Sequence, residues 1–293
     1  MPRQITPSGA GSRATIAVIL ARGLGSRMRA DDGAPLSAEQ AAAAAAGAKG
    51  LMPIAGHPLL DYVLHELADG GVRDVVFVVA PGETAISGRY AREAVPERLR
   101  VHFAEQDQPR GTADALLSAR ATLYDVFFEA TRETVRELPF LMLNADNLYP
   151  ADSVRALVEL DGPGLIAYEA TALSSEGNIE PERVMAFALL DLAADGTLRE
   201  IVEKPAADHP LAKSTERWVS MNLWRFDARI FDACAAVTPS VRGELELADA
   251  VRALIADGVR FHAVPQRFPV LDLSRRGDVQ SVESRLAGRV PQP

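Results

Sequence analysis

Runs of apolar residues separated by amphipathic stretches dominate the first half of the chain. Four segments are almost continuously apolar, namely 14–21, 74–80, 99–105 and 139–145. Helical patterns lie between them, near 58–70, 85–95 and 111–129. Strands that are apolar at every position are typical of sheets covered on both faces. The alternation therefore predicts an α/β fold, in which helices cover both faces of a Rossmann-like, mainly parallel, mixed sheet.

The pattern changes after about residue 150, where strands follow one another across turns instead of across long helices. These strands are GLIAYEA, RVMAFALLDL, LREIVEKP and WVSMNLWRF. We expect them to form a smaller, inserted β-rich layer. Helices at 227–236 and 246–257 follow, and a last strand and helix lie within 260–288.

We predict one domain over 14–293 after a flexible, polar N-terminal tail at 1–13. The change of pattern divides this domain into a first half at 14–150 and a second half at 151–293.

An alanine-rich segment precedes Lys49. Ser37 and Gln40 have the spacing of a capping box, a run of alanines follows, and Gly47 can end a helix in a left-handed turn. The pattern predicts a short helix over 38–46. The alternative is that the alanines are filler without a role.

Composition and charge narrow the classes of function. With 48% hydrophobic and 24% charged residues, the 293-residue chain is an ordinary globular protein. Its net charge of −9 argues against a nucleic-acid surface, and no apolar run approaches the roughly 18 residues of a membrane span. The single cysteine, Cys234, excludes a disulfide within the chain, so we expect a cytoplasmic protein. Association into a homo-oligomer is left open.

A glycine-rich turn follows the first strand, with the sequence Gly23-Leu24-Gly25-Ser26-Arg27. Glycines allow backbone N–H groups to approach phosphate oxygens, and Arg27 adds a fixed positive charge. A dinucleotide fingerprint needs a third glycine where this chain has Met28, and a P-loop needs Gly-Lys-Ser/Thr. The turn by itself fits a nucleotide site or an ordinary strand-to-helix connection.

The strand at 139–145 becomes polar at its end, where Asn144, Asp146 and Asn147 occur together. Ligands of open α/β sheets bind beyond the carboxyl ends of the strands, so an acid at this point can meet one. The alternative is that Asp146 only caps the helix expected near Ala151.

Six segments occur here in the order typical of the sugar-1-phosphate nucleotidyltransferases. They are LARGLGSRM at 20–28, Lys49 in AKGLMPIAGHPLLDYVL, EQDQPRGTADAL at 105–116, NADN at 144–147, VEKP at 202–205 and GELELADAV at 243–251. Over about residues 14–285 the chain resembles the short glucose-1-phosphate thymidylyl- or uridylyltransferase type. The resemblance implies that a sugar-1-phosphate oxygen attacks the α-phosphorus of an NTP, that pyrophosphate leaves, and that a nucleotide-sugar forms.

The resemblance also assigns roles to residues. The nucleotide would be bound by Leu20, Ala21, Gly23, Gly25, Ser26, Gln106, Gly111 and Thr112. The catalytic cations beside the leaving pyrophosphate would be Arg27 and Lys49. The acceptor, bound by the second half of the chain, would contact Glu203, Lys204 and Asn222. The cofactor Mg²⁺ would be held by Asp146 and Asp249, and Gln106, with one donor and one acceptor, favours UTP or dTTP.

Two of these residues have a simpler interpretation. Asp249 projects opposite the apolar stripe of its predicted helix, so periodicity alone predicts a solvated acid. Lys204, which precedes the proline that ends a strand, is typical of a surface lysine.

The chain also departs from the family pattern. Arg22 replaces a small residue, and it either adds a phosphate contact or points outward. Met185 stands where the family commonly has a glycine, and Met221 and Trp224 add apolar volume. We therefore expect an acceptor smaller or more apolar than glucose-1-phosphate, such as a deoxy or acylated sugar phosphate.

Two other functions are compatible with the same motifs. One is nucleotidyl transfer to a non-sugar phosphorylated acceptor. The other is a catalytically silent regulatory subunit that binds a nucleotide-sugar, although such a subunit would not need Arg27, Lys49 and both predicted metal carboxylates together.

Overall fold

A central sheet of nine strands organises the molecule. The computed structural model describes residues 13–23, 25–30, 32–131 and 138–293, so residues 1–12 of the predicted tail lie outside the described residues. The strands are β1 Ile16–Leu20, β2 Pro53–Ile54, β3 His57–Pro58, β4 Asp74–Val79, β5 Arg100–Glu105, β6 Phe140–Asn144, β7 Asn147–Leu148, β8 Gly164–Glu169, β9 Ala188–Leu192, β10 Leu198–Val202, β11 Trp218–Phe226, β12 His262–Gln266 and β13 Leu271–Asp272.

Helices connect and cover these strands. They are α1 Ser26–Arg29, α2 Ala38–Ala46, α3 Leu59–Gly70, α4 Ala85–Gly88, α5 Thr112–Ser118, α6 Arg120–Thr131, α7 Ala151–Glu159, α8 Ala170–Ser175, α9 Pro181–Val184, α10 Pro210–Lys213, α11 Arg229–Ala236, α12 Leu247–Ala256 and α13 Asp278–Leu286. A 3₁₀ turn covers Lys49–Leu51 and a π-helical turn covers Arg89–Glu93. No helix within the described ranges has the length and apolarity needed to cross a bilayer.

The sheet has a parallel half and a mixed half. The order β5-β4-β1-β6 is parallel throughout, and β11 then pairs antiparallel with β6. The first residues of β11 pair with β9, and β8 runs along its other edge. β10 and β12 form the outer edges beside β9 and β8. The β-rich layer predicted for the second half is therefore part of the same sheet rather than a separate layer.

The sheet separates two hydrophobic cores, as the continuously apolar strands predict. Along β1, Ala17 and Ile19 pack into one core, and Ile16 and Val18 pack into the other. α3, α7 and α13 cover the first face, while α5, α6, α11 and α12 cover the second. Both faces of the sheet are thus buried under helices, which confirms the predicted fold class.

Three helical or strand predictions differ from the structure. The stretch 85–95 is α4 followed by the π-helical turn, and 111–129 is divided into α5 and α6 at Ala119. The segment 183–187 is not part of a strand, because Pro181 starts the short helix α9 and β9 begins only at Ala188. Proline is favoured at the first position of a helix, but a pattern of alternating apolar residues does not indicate such a helix start.

The alanine-rich segment forms the predicted helix. α2 spans Ala38–Ala46, and Ser37 and Gln40 form a capping box in which each side chain accepts from the other's backbone N–H. Gly47 ends the helix with φ 72°. The local signals at both ends are sufficient to delimit this helix.

Candidate functional site

A cleft of about 430 Å³ lies beyond the carboxyl ends of the parallel strands β1, β5 and β6. Nine of the residues predicted from the sequence line it: Leu20, Ala21, Gly23, Ser26, Lys49, Gln106, Gly111, Thr112 and Asp146. Because parallel strands all end at the same edge of the sheet, the three motifs that follow β1, β5 and β6 converge at this place, and the segment after α2 adds Lys49.

The glycine-rich turn forms one end of the cleft, which we call the phosphate end because the sequence predicts phosphate contacts at this turn. Gly25 has φ 62° and precedes α1, and a Cβ at this position would lie 2.7 Å from the main-chain oxygen of Gly47. Gly23 and Ser26 line the cleft, whereas Gly25 and Arg27 are not among its described lining residues. Arg27 is exposed on α1. This turn needs glycine at 25 for both its conformation and its contact.

Lys49 and Asp146 form an ion pair inside the cleft, with Nζ 2.8 Å from Oδ2. The helix-cap interpretation of Asp146 is wrong, because the residue at the N-cap of α7 is Pro150. The backbone N–H of Ala151 instead donates to the carboxylate of Glu66. Asp146 is consequently free of a capping role and faces the cleft.

The side chain of Gln106 is held in one orientation. It is buried, and its Nε2 donates to Oδ2 of Asp114 at 2.8 Å and to the main-chain oxygen of Gly111 at 3.3 Å. Both partners are acceptor oxygens, so a flipped amide would place its carbonyl oxygen against both of them. Gln106 therefore offers the cleft a carbonyl acceptor but no free donor, which differs from the predicted donor–acceptor pair.

The loop from Gln106 to Gly111, which we call the base-side loop because the sequence predicts that it contacts the nucleobase, is joined to the GELELADAV motif through backbone contacts. A Cβ on Gly111, which has φ 123°, would lie 2.4 Å from the main-chain oxygen of Leu245. That oxygen accepts from the N–H of Ala113, and the hydroxyl of Thr112 accepts from the N–H of Leu247. Two motifs that are far apart in the sequence thus form one wall.

A second, smaller pocket of about 170 Å³ adjoins the cleft and shares Thr112 and Glu244 with it. The predicted acceptor residues Glu203 and Asn222 line this pocket. Glu244, Arg242 and Glu246 also line it, although none of the three was predicted as a site residue. The signal for them was present in the sequence, since Glu244 and Glu246 belong to the GELELADAV motif and Arg242 directly precedes it. Only Asp249 of this motif was predicted as a site residue.

The backbone next to this pocket adopts unusual conformations. Lys204 has φ 43° and Asn222 has φ 60°, which are uncommon for residues other than glycine. Asn222 lies in the irregular part of β11, between the residues that pair with β9 and those that pair with β6. Its Oδ1 accepts from Nε1 of Trp224 at 3.4 Å. Strained residues cluster at functional sites, so the backbone here favours a binding role.

Burial raises the pKa of Glu203, and the nearby charge of Glu246 raises it further against the opposing effects of Arg242 and Lys204. The pocket is therefore acidic, with its three glutamates balanced in part by the Arg242–Glu246 ion pair at 3.0 Å. Carboxylates accept hydrogen bonds from hydroxyl groups, which suits a polyhydroxylated ligand.

Within the described part of the chain, neither Asp249 nor Lys204 lines the cleft or the second pocket. The carboxylate of Asp249 is instead paired with Arg252, three residues later on α12, and Arg252 also donates to the main-chain oxygen of Ile201. The side chain of Asp249 is 32% exposed.

Arg22 lines the cleft, and its Nη2 donates to the main-chain oxygen of Asp107 at 2.7 Å. It thus spans from the glycine-rich turn to the base-side loop instead of pointing outward. Met185 and Met221 pack against the hydrophobic core and line neither opening, and only Trp224 lines the second pocket. The expectation that the two methionines restrict the acceptor is therefore wrong.

A buried polar network supports the strand end that carries Asp146. Asn147 donates to Asp272 at 2.9 Å, and Arg183 lies 2.5 Å from Asp272 and from Asp278. Burial, followed by the charge of Asp146, raises the pKa of Asp272 to about 6. Asn147 is therefore committed to the protein interior and holds β7 against β13.

The donor set fits Mg²⁺ in part. Mg²⁺ is usually bound by one or two carboxylates together with substrate phosphates, and Asp146 supplies one such carboxylate at the phosphate end of the cleft. Within the described part of the chain, no group of three or more His, Cys, Asp or Glu side chains is arranged to hold a metal ion. A site here would depend on the nucleotide and, for Asp249, on release from Arg252.

Two solved structures share this fold. One is described as UDP-glucose pyrophosphorylase complexed with UDP-glucose, with a TM-score of 0.66, 17% identity, and coverage of 93% of this chain and 98% of that one. The other is described as UTP-bound UGPase from Acinetobacter baumannii, with a TM-score of 0.69, 15% identity and 95% coverage of both chains.

Sequence relatives have similar coverage of this chain. Glucose-1-phosphate thymidylyltransferase of Streptomyces griseus is 31% identical over 83% of this chain and 58% of its own length. UTP–glucose-1-phosphate uridylyltransferase AglF of Haloferax volcanii is 26% identical, with 94% and 98% coverage. Bifunctional protein GlmU of Methanococcus maripaludis is 25% identical over 83% of this chain, which spans only half of that relative.

The family model described as Nucleotidyl transferase matches residues 16–269. This match includes the glycine-rich turn, the Lys49–Asp146 pair and the walls of both openings. The chain therefore belongs to the nucleotidyl transferase family.

Proposed function

We propose that this protein transfers a nucleoside monophosphate from an NTP to a sugar-1-phosphate. The observation that carries the proposal is that the nucleotide cleft and the second pocket are adjacent and share Thr112 and Glu244. Two substrates bound in them would meet at this junction. Transfer between bound partners depends mainly on their proximity and orientation.

The chemistry requires charge neutralisation and no covalent intermediate on the protein. An oxygen of the sugar phosphate forms a bond to the α-phosphorus, and the bond from that phosphorus to the bridging oxygen breaks, so that pyrophosphate leaves with the electron pair. Lys49 would stabilise charge on the leaving phosphates from inside the cleft, and Arg27 would approach from α1. The N–H groups of Gly23, Gly25 and Ser26 would contact the same phosphates.

UTP or dTTP is the proposed nucleotide. The carbonyl oxygen of Gln106 can accept from the N3–H of uracil or thymine, whereas cytosine presents an acceptor at that position. Leu20, Ala21 and Gly111 would surround the base. The names of two relatives, a thymidylyltransferase and a uridylyltransferase, support the same choice.

The proposed acceptor is a sugar-1-phosphate, with glucose-1-phosphate as the first compound to test because both of those relatives are named for it. Glu203 and Asn222 would accept or donate hydrogen bonds at the sugar hydroxyls, since they line the second pocket. Lys204 would contact the acceptor phosphate from the edge of this pocket.

Mg²⁺ is the proposed cofactor. When bound, it would neutralise the phosphate oxygens of the nucleotide during transfer. Asp146 is the carboxylate placed to hold it, and Asp249 would be the second ligand once Arg252 releases it. We also propose a cytoplasmic location, because the lone, buried Cys234 is compatible with a reducing compartment.

Pyrophosphate release from UTP, dTTP, CTP, ATP and GTP, each with a panel of sugar-1-phosphates and Mg²⁺, tests the proposal. We expect turnover with UTP or dTTP and at least one sugar-1-phosphate. Nucleotide binding without pyrophosphate release for any acceptor would favour the silent regulatory subunit. Release only with a phosphorylated acceptor that is not a sugar would overturn the acceptor assignment.

A further inference from the structure

The helix α2 ends in direct backbone contact with the glycine-rich turn. Gly47 follows α2, and its main-chain oxygen and Cα approach Gly25 so closely that a Cβ on Gly25 would lie 2.7 and 2.8 Å from them. Gly47 and the next three residues, through Gly50, line the nucleotide cleft. The end of α2 therefore forms part of the wall at the phosphate end.

The guanidinium of Arg29, which belongs to α1, stabilises the contact between Gly25 and Gly47 by binding the end of α2. Its Nη2 donates to the main-chain oxygen of Ala46 at 3.0 Å. A Cβ on Gly47 would lie 2.7 Å from Nε of Arg29, so the absence of a side chain at 47 makes room for the guanidinium. A cation at the carboxyl end of a helix is also favoured by the helix dipole. Arg29 itself does not line the cleft in the described part of the chain.

The opposite end of α2 is anchored to the C-terminal helix α13. Nε2 of Gln40 donates to the main-chain oxygen of Pro53 at 3.0 Å and to Oε1 of Glu283 at 3.4 Å. The same Glu283 oxygen accepts from the N–H of Ala55. Gln40 is buried, so these hydrogen bonds are protected from water.

The segment before α13 also holds α1 directly. Nε of Arg276 donates to the main-chain oxygen of Met28 at 3.0 Å, and its Nη2 donates to that of Arg29 at 3.2 Å. The glycine-rich turn and α1 are therefore held between α2 on one side and the start of α13 on the other.

We propose that α2 is a clamp that positions the phosphate-binding turn and Lys49, with Arg29 as its positioning residue. This inference rests on the proposed function and deepens it, because it assigns the alanine-rich segment to the triphosphate end of the site. A preorganised turn loses less conformational entropy when the phosphates bind. Among the described residues, none from α2, and neither Gly47 nor Arg29, lines the second pocket. Acceptor binding would therefore be independent of the clamp.

The test compares Arg29→Ala with a matched control, Arg155→Ala. Arg155 is on α7, and like Arg29 it donates from Nη2 to a main-chain oxygen, that of Asp69, at 3.0 Å. We expect Arg29→Ala to raise KM for the NTP, and KM for pyrophosphate in the reverse reaction, at least fivefold. KM for the sugar phosphate should stay within twofold of wild type. Arg29→Lys, which keeps the positive charge and can still donate to the main-chain oxygen of Ala46, should restore part of the loss. Arg155→Ala should change none of these constants.

Hydrogen exchange gives a readout that does not depend on turnover. Amides of peptides covering 25–30 should exchange at least fivefold faster in Arg29→Ala than in wild type, and Gln40→Ala should produce the same change from the far end of α2. Unchanged exchange, or a parallel rise of KM for both substrates, would refute the clamp. If wild type releases no pyrophosphate but the exchange difference is present, the proposed function fails while the clamp stands.

Discussion

The ammonium of Lys49 lies 2.8 Å from Oδ2 of Asp146, although the two residues are 97 positions apart in the chain. Their side chains are 19% and 25% exposed, so the pair is only partly screened by water. Lys49 follows α2 and Asp146 follows β6. A nucleotide phosphate would attract Lys49, and a cation would attract Asp146. We infer that the ion pair holds both side chains at the phosphate end of the cleft until these ligands replace it.

Lys49→Met should lower kcat/KM by about 10²–10³, which corresponds to about 3–4 kcal/mol for the loss of one positioned charge at the transition state.

Asp146→Asn should raise the Mg²⁺ concentration for half-maximal turnover by about tenfold, because an amide is a weaker ligand for a hard cation. Steady-state kinetics across a Mg²⁺ series measures the effects of both substitutions. Asp152→Asn, an exposed acid on α7, is the control and should behave like wild type.

Asp249→Asn tests whether this acid joins the site despite its pairing with Arg252. We expect the Mg²⁺ concentration for half-maximal turnover to rise by about tenfold, as predicted for Asp146→Asn. Arg252→Met should do the opposite and lower the Mg²⁺ requirement, because it releases the carboxylate. Wild-type kinetics in Asp249→Asn would leave it as the solvated acid that periodicity indicates.

Base preference should depend on Asp114, which does not line the cleft but orients the amide of Gln106. Asp114→Asn can donate as well as accept, so the Gln106 amide can flip, and the preference for UTP over CTP should fall by about tenfold, or about 1.4 kcal/mol. Competition kinetics with the two nucleotides measures this ratio.

The control for this change is Arg110→Met. It breaks the Arg110–Asp114 ion pair, which is 2.6 Å long, but leaves the Asp114 carboxylate in place. Its UTP preference should equal that of wild type. A ratio that falls equally in both variants would mean that the ion pair, rather than the orientation of Gln106, determines the preference.

Acceptor binding should weaken in mild acid. The raised pKa of Glu203 means that this acid takes up a proton at a higher pH than an exposed glutamate does. A protonated Glu203 is a poorer acceptor for sugar hydroxyls, so KM for the sugar phosphate should rise as the pH falls into the acid range, and should do so at a higher pH than the protonation of an exposed glutamate would produce. KM for the NTP, measured in the same series, should show no matching rise.

Two variants distinguish titration of Glu203 from titration of the substrate phosphate as the cause of this pH dependence. Glu203→Gln cannot titrate, so its KM for the acceptor should be nearly independent of pH across the same range. Glu246→Gln removes a neighbouring negative charge and should move the rise to lower pH. A pH profile of Glu203→Gln that matches wild type would assign the dependence to the substrate phosphate.

Local signals were sufficient for several parts of this molecule. The apolar strands and the helices between them predict the sheet and its two covered faces, because full burial removes the need for alternation. The capping box and Gly47 predict both ends of α2, because capping is satisfied by neighbours in the sequence. The glycine-rich turn after β1 and the polar residues after β6 predict candidate ligand-binding groups at one edge of the sheet, where the cleft lies.

Tertiary packing and side-chain conformation decided the rest. Period-two patterns could not reveal that the later strands continue the same sheet, since pairing partners are chosen by packing. The fixed amide of Gln106 depends on how Asp114 and Gly111 are oriented, which the sequence does not specify. The i,i+3 spacing of Asp249 and Arg252 makes them helical neighbours, but only the side-chain rotamers show that the carboxylate is paired with the arginine. Met185 likewise faces the core because α9 replaces the expected strand.

Local periodicity was sufficient to predict the fold class, and the resemblance of six ordered motifs to a known family indicated the candidate residues. The tertiary structure alone decided which candidates meet. It joins Gly25 to Gly47, Lys49 to Asp146 and Gly111 to Leu245. Such contacts depend on the three-dimensional packing of whole elements, and this packing is a property of the entire chain rather than of any one segment.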